Sequence, residues 1–247
     1  MNIPASRVDC FTNGDHVCLF YKSPAEQVAT VGPFVQVGVL RNERCFCIQN
    51  QLTRELLISW LAEHRIDTKR QIERGALVFL EPSDVYRHRA DGSLDSGAMV
   101  KLLEGALQES LALGFSGFRP TGEVVWELRD EQCCAQLLEY EMLLERYLPG
   151  RPAVGLCQYD VRRFESAQLA GILATHRLAL LSGEAGRHAM RLRKGGIFAD
   201  IIVDERDHGL FHYTVQKDGV SDILALGQAE SFRSALSAAQ VHLTPLS

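Results

Sequence analysis

Short apolar runs alternate with longer amphipathic segments over roughly the first three quarters of the chain. The runs have the length and composition of buried strands, and the longer segments repeat their apolar residues with the spacing of a helix. The predicted strands are 16–21, 44–49, 76–80, 117–123, 153–159 and 176–181. The predicted helices are 24–39, 53–64, 96–113, 131–147 and 166–175. Such alternation implies right-handed crossovers, and therefore a mostly parallel sheet with helices on both faces. The pattern thus predicts a three-layer α/β domain over about residues 10–182.

The start of the first helix carries several local signals. Ser23 is a candidate N-cap, Pro24 suits the first helical position, and Glu26 lies three residues after the cap. Pro33 falls inside the same helix, where we expect a bend. These signals predict that the first helix begins at Pro24.

The pattern changes after Gly183. Residues 197–203, 210–215 and 223–226 read as strands, Asp218-Gly219 as a hairpin turn, and 231–243 as a final helix. We expect a small α+β appendage over 196–247, a meander followed by one helix. The basic stretch 187–194 lies within a segment, 183–195, that is expected to be a linker.

Composition and charge narrow the classes of partner. The chain has 247 residues, 46% of them hydrophobic, and its 26 Lys and Arg against 31 Asp and Glu give a net charge of −5. No global field therefore draws it to DNA or to anionic lipid. The sequence shows neither an apolar run of membrane-spanning length nor a secretory signal, so we expect a cytoplasmic protein.

The seven cysteines do not have the spacing of a zinc site. Cys45 and Cys47 are one residue apart, and Cys133 and Cys134 are adjacent, whereas structural zinc sites commonly use Cys-x2-Cys elements. An odd number of cysteines without a secretory signal indicates reduced thiols. We expect no metal site.

Ligands of open parallel sheets bind beyond the carboxyl ends of the strands. The segment 21–27, after the first strand, lacks the glycines and the Gly-Lys-Ser/Thr of a phosphate-binding loop. Conventional ATP hydrolysis is therefore not expected, although nucleotide binding without hydrolysis stays open.

Several segments, in order, resemble the MEDS domain, the methanogen/methylotroph sensory domain. They are HVCLFY at 16–21, GVLRNERC at 38–45, TGEVVW at 121–126, LEYE at 138–141 and LCQYDVRRF at 156–164. The resemblance covers about residues 10–182. It implies a fold like RecA and the circadian-clock ATPases with a decayed phosphate loop, and a sensory role toward small hydrocarbon derivatives. No helix-turn-helix or kinase segment is recognisable, so the output is expected to pass through a regulatory protein partner.

The candidate ligand-binding residues are polar or aromatic side chains of the matching segments or of strand ends. They are His16, Tyr21, Glu123, Trp126, Tyr159 and Arg163. Each also has an ordinary structural explanation: a histidine satisfied by its neighbours, a salt bridge of Glu123 with Arg163, or an aromatic ring that fills core volume.

The leading hypothesis is a non-catalytic sensor of a small organic ligand, with no cofactor, no direct DNA binding and no membrane contact; a homodimer stays open. One alternative is a degenerate nucleotide-binding or partner-switching module. The other is a thiol enzyme, in which Cys157 and His176 form a thiol–imidazole pair that Glu123 orients.

Overall fold

Six parallel strands form the centre of the structure, a computed structural model. It describes residues 8–9, 11–124, 131–176, 178–182, 188–194, 196–203, 211–217, 223–229 and 232–243. The parallel strands are β1 (His16–Tyr21), β2 (Glu43–Ile48), β3 (Leu77–Leu80), β4 (Gly117–Glu123), β5 (Gly155–Asp160) and β6 (Leu178–Ser182). Their order across the sheet is β6-β1-β5-β4-β2-β3. The predicted mostly parallel α/β sheet is confirmed.

Seven helices lie between these strands in the described sequence. They are α1 (Pro24–Leu40), α2 (Gln51–Glu63), α3 (Thr68–Glu73), α4 (Pro82–Val85), α5 (Ser96–Ala112), α6 (Glu131–Tyr147) and α7 (Ser166–Thr175). Among the described residues, none of the helices combines the length and the apolar character that a membrane crossing requires.

Four antiparallel strands continue the same sheet beyond β6. They are β7 (His188–Lys194), β8 (Ile197–Val203), β9 (Phe211–Lys217) and β10 (Ile223–Ala229), followed by helix α8 (Phe232–Leu243). The meander and final helix expected in this part of the chain are therefore present. The Asp218-Gly219 turn lies outside the described residues.

The segment 183–195 differs from the linker expected there, because β7 pairs with β6 over residues 188–192 and with β8 over residues 188–194. The sequence alternates Met190 and Leu192 with Arg191 and Arg193, which is the two-residue period of a strand. The four basic residues obscured that period. Residues 183–187 and 195 lie outside the described part.

Strand β1 is buried on both faces of the sheet. Because successive side chains of a strand point to opposite faces, Val17 and Leu19 pack with Phe34 of α1, while Cys18 and Phe20 join a separate apolar cluster with α6 and α7. Helices thus cover both faces of the parallel sheet, as predicted. His16 begins β1 on the Cys18 face, and this position decides its neighbours.

The turn from β1 into α1 has the expected cap. The Ser23 side chain accepts a hydrogen bond from the Glu26 amide at 3.3 Å, and Pro24 occupies the first turn. The Glu26 carboxylate in turn accepts from the Lys22 amide at 2.8 Å. Because the chain's own side chains accept from these two amides, the turn differs from a phosphate-binding loop, whose amides point at the ligand.

Candidate functional site

A buried carboxylate occupies the carboxyl edge of the sheet, where the sequence places the ligand site. Tyr21 donates a hydrogen bond to Oε1 of Glu123 at 3.1 Å, and the Asn50 amide donates to Oε2 at 2.8 Å. Burial, and then the charge of Glu123, raises the pKa of Tyr21, so its hydroxyl stays a neutral donor. We call Tyr21, Asn50 and Glu123 the carboxyl-edge cluster. Both oxygens of its carboxylate are bound within the protein.

A second set of buried polar groups lies behind this cluster. The Gln27 amide donates to Gln158 at 2.8 Å, and the Gln158 amide donates to the Thr121 hydroxyl at 2.7 Å. Thr121 donates onward to the Leu156 carbonyl at 3.0 Å. These hydrogen bonds join α1 to β4 and β5 next to the first strand–helix turn. They make this region a structural network that the protein satisfies from within.

Two histidines converge on one carboxylate at the opposite end of β1. Nε2 of His16 and Nε2 of His176 each lie 3.2 Å from Oε2 of Glu141. The Cys157 sulfur lies 3.4 Å from Nε2 of His16. One ligand-type atom from each of these four residues falls within 4.8 Å of the others. We call His16, Glu141, Cys157 and His176 the histidine cluster.

Four different elements supply the histidine cluster. His16 begins β1, Glu141 lies on the inner face of α6, Cys157 is in β5, and His176 directly follows α7. Glu141 is fully buried, and both histidines are nearly so. The two imidazole rings face each other with centroids 4.2 Å apart.

The remaining polar atoms of the histidine cluster are held by outer contacts. Oε2 of Glu145 lies 3.2 Å from Nδ1 of His16, and the Ile172 carbonyl lies 2.8 Å from Nδ1 of His176. The Tyr159 hydroxyl donates to Oε1 of Glu141 at 2.5 Å. These outer contacts fix the side chains from behind, with both Nε2 atoms 3.2 Å from Oε2 of Glu141.

The protonation states follow from burial and from the neighbouring charges. Burial and the nearby Glu141 raise the pKa of the Cys157 thiol well above its usual range. Burial alone would lower the pKa of His176, yet Cys18 and Glu141 raise it to about 9. Burial opposes the charge on Glu141, but the two histidines lower the pKa of its carboxyl group. The thiol-enzyme alternative has Glu123 orient His176, whereas Glu123 binds Tyr21 and Asn50 at the other end of β1 and the carboxylate beside His176 belongs to Glu141.

A small apolar cavity of about 30 Å³ lies between the sheet and helices α5 and α6. Its lining residues are uncharged: Ile48, Tyr86, Leu103, Pro120, Gly122, Val124, Tyr140, Leu144, Leu148, Gly155, Leu156 and Cys157. The Tyr86 hydroxyl donates to the Glu123 carbonyl at 2.9 Å, and burial raises the pKa of Tyr86 and Tyr140 well above the usual value. Cys157 belongs both to this lining and to the histidine cluster.

The six candidate residues of the sequence fall in different places. Tyr21 and Glu123 are in contact, whereas His16 and Tyr159 belong to the surroundings of Glu141 on the other face of the sheet. Arg163 is exposed in the one-turn 3-10 helix Val161–Arg163, and Trp126 lies outside the described residues. Their shared role in ligand binding stays a prediction.

Sequence reasoning did not identify Glu141 or the apolar cavity. One available signal was the position of Glu141 on α6, where it shares the helical face of Leu137, Tyr140 and Leu144. An acid in an apolar stripe must find a partner when it is buried. The LEYE segment that carries Glu141 was already among the matching motifs.

Comparison with known proteins places residues 15–177 in a family of sensory domains. The matching family is described as MEDS, the methanogen/methylotroph, DcmR sensory domain. Over 163 residues the chain is 28% identical to the transcriptional repressor DcmR of Methylorubrum extorquens (strain DSM 6343 / CIP 106787 / DM4). That alignment covers 66% of this chain and 58% of the repressor's length.

A solved structure gives a looser likeness. The KaiC-like protein of the archaeon Pyrococcus horikoshii OT3 superposes with a TM-score of 0.47 at 11% identity, over 88% of this chain and 85% of that one. The fold assignment rests on the sheet and helices described above. The family match, by contrast, spans more than half of the sequence and includes every residue of the histidine cluster. The chain therefore belongs to the MEDS family of sensory domains.

Proposed function

We propose that this chain is a cytoplasmic, non-catalytic sensor that binds a small, uncharged organic molecule in the apolar cavity and signals to a regulatory protein partner. The observation that carries the proposal is the uncharged lining of the cavity, which extends to the Cys157 side chain. Membership of a sensory-domain family supports the role in general. The ligand class and the protein partner are what the proposal adds to family membership.

The size of the cavity restricts the ligand. A cavity needs about 10–15 Å³ to hold one water molecule, so about 30 Å³ holds a molecule of a few heavy atoms. An apolar lining offers no group that would compensate the desolvation of a charged ligand. One- or two-carbon compounds fit these limits, and a nucleotide is far too large.

Helix α6 connects the cavity to the surface. Tyr140 and Leu144 line the cavity from α6, while Met142 of the same helix is exposed. A ligand that favours one position of α6 shifts the population of conformations, and that shift is accessible to a partner at the exposed face.

The test uses a substitution that fills the cavity and a matched one that does not. We expect Leu103→Phe to weaken binding of dichloromethane by at least about tenfold, because the larger ring occupies the cavity. Leu113→Phe, at a position 59% exposed, is the control and should bind as the native chain does. Binding is measured by chemical-shift titration of the Leu and Val methyl groups, with methanol as the polar probe.

Three results would contradict this proposal. The first is that the native chain shows no saturable methyl shifts with either probe. The second is that both variants weaken binding equally, and the third is that the shifted methyl groups lie away from α5 and α6. ATP binding that is abolished by Glu123→Gln, without hydrolysis, would instead support the nucleotide-binding alternative.

A further inference from the structure

We propose that the histidine cluster is a binding site for a divalent transition-metal ion, zinc above all, with His16, Glu141, Cys157 and His176 as its ligands. The proposal concerns the structure around Glu141 and does not depend on the occupant of the apolar cavity.

Three of the six distances between ligand atoms in the histidine cluster are close to those of a tetrahedral site. Zinc binds nitrogen and oxygen at about 2.0–2.2 Å and sulfur at about 2.3 Å, so ligand atoms on one tetrahedral ion lie about 3.3–3.6 Å apart. The two separations between histidine Nε2 atoms and Glu141 Oε2 are 3.2 Å, and His16 Nε2 lies 3.4 Å from the Cys157 sulfur. The other three distances are at most 4.8 Å, so a zinc ion would need to draw those atoms together by no more than about 1.5 Å.

Two of these atoms are buried without a hydrogen bond in the described part of the chain. Oε2 of Glu141 and Nε2 of His176 are 3.2 Å apart, yet neither makes a hydrogen bond of acceptable geometry. Buried polar atoms are rarely left this way, because their desolvation is costly. A metal ion at the centre would satisfy both atoms simultaneously.

The outer contacts are those of a metal site as well. Ligating histidines usually donate their second ring N–H to a carboxylate or a backbone carbonyl, which directs the other nitrogen at the metal. His16 has Glu145 in that position, and His176 has the Ile172 carbonyl. Tyr159 holds the second oxygen of Glu141, which leaves Oε2 for the ion.

The donor types select the metal. Two imidazoles, one thiolate and one carboxylate suit zinc and its spectroscopic substitute cobalt(II), whereas magnesium and calcium prefer oxygen ligands throughout. Coordination requires a deprotonated thiol and neutral imidazoles, so binding of the ion releases the Cys157 proton together with any proton that His16 or His176 carries on Nε2.

The experiment measures metal binding by the full chain in the absence of any organic ligand. We expect one zinc ion per chain by elemental analysis after dialysis, and a cobalt(II) derivative with the thiolate charge-transfer band and the intense visible absorption of a tetrahedral ion. Cys157→Ala and His176→Ala should each lower the zinc affinity by more than about 100-fold, and Glu145→Gln by about 10–100-fold. Cys47→Ala is the matched control, because Cys47 is a buried cysteine in β2, outside the histidine cluster, and should leave the affinity unchanged.

The proposal fails if the native chain binds neither ion under these conditions, if bound cobalt shows no thiolate band, or if Cys157→Ala and Cys47→Ala bind zinc equally. The cobalt spectrum of the native chain keeps the test decisive even where a variant does not fold. Leu103→Phe separates the two proposals, since it should lose the organic probe and keep the zinc.

Discussion

Replacement of Glu43 by glutamine should lower the free energy of unfolding by about 3–5 kcal/mol, because it removes the partner of a buried charge. Arg119 is 0% exposed, and its Nε donates to the Glu43 carboxylate. Its two terminal nitrogens make no hydrogen bond among the described residues, and the guanidinium carbon lies 4.6 Å from the centre of the Phe34 ring. The Glu43→Gln change therefore removes the carboxylate that lies against this buried guanidinium.

Two further variants make this prediction specific to the buried pair. Glu109→Gln removes a carboxylate that is 61% exposed and lies 2.8 Å from Arg44, so it should cost no more than about 1 kcal/mol. The double variant Glu43→Gln, Arg119→Met should be more stable than Glu43→Gln alone, since no charge is then buried. Urea unfolding of the four proteins measures these differences. Equal losses in Glu43→Gln and Glu109→Gln would show that the buried pair is not special.

Alanine at Gly32 should destabilise the protein by about 2–3 kcal/mol, whereas the same change at Gly105 should stabilise it by about 0.5–1 kcal/mol. Both glycines lie inside helices, α1 and α5. A Cβ at Gly32 would lie 2.4 Å from the Trp60 ring, which is itself stacked on His64 with centroids 3.5 Å apart. A Cβ at Gly105 meets no atom within 4 Å and only gains helix propensity.

Thermal and urea unfolding of the two single variants measure this contrast. Gly32→Ala should cost less stability when it is added to a Trp60→Leu variant than when it is added to the native chain. The smaller leucine side chain makes room for the added methyl group. A change in stability of the same sign in Gly32→Ala and Gly105→Ala would contradict the steric explanation.

The parallel half of the fold could be predicted because its signals are local. The apolar run of β1, the Ser23 cap and the spacing of α5 each depend on a few neighbouring residues. Their alternation then restricts the topology to parallel crossovers. Strand β7 was missed because its basic residues masked a period of two, and because the β6 edge that it covers is a property of the assembled sheet.

The histidine cluster could not be predicted from spacing. His16 and His176 are separated by 160 positions, and they meet because β1 lies between β5 and β6 while α6 packs across the same face. Rules for metal sites depend on ligands close in sequence, and this set comes from four elements. Only the acid at position 141, inside an apolar stripe, gave a local indication.

Cys157 borders two sites, since it lines the apolar cavity and also belongs to the histidine cluster. A molecule that displaces the Cys157 side chain in one site changes the space available in the other. Thermodynamic linkage then requires the effect to be mutual. If an ion in the histidine cluster changes the affinity of the cavity for its ligand by some factor, the ligand changes the affinity of the cluster for the ion by the same factor. A single thiol would in this way make the cavity and the histidine cluster effector sites for each other.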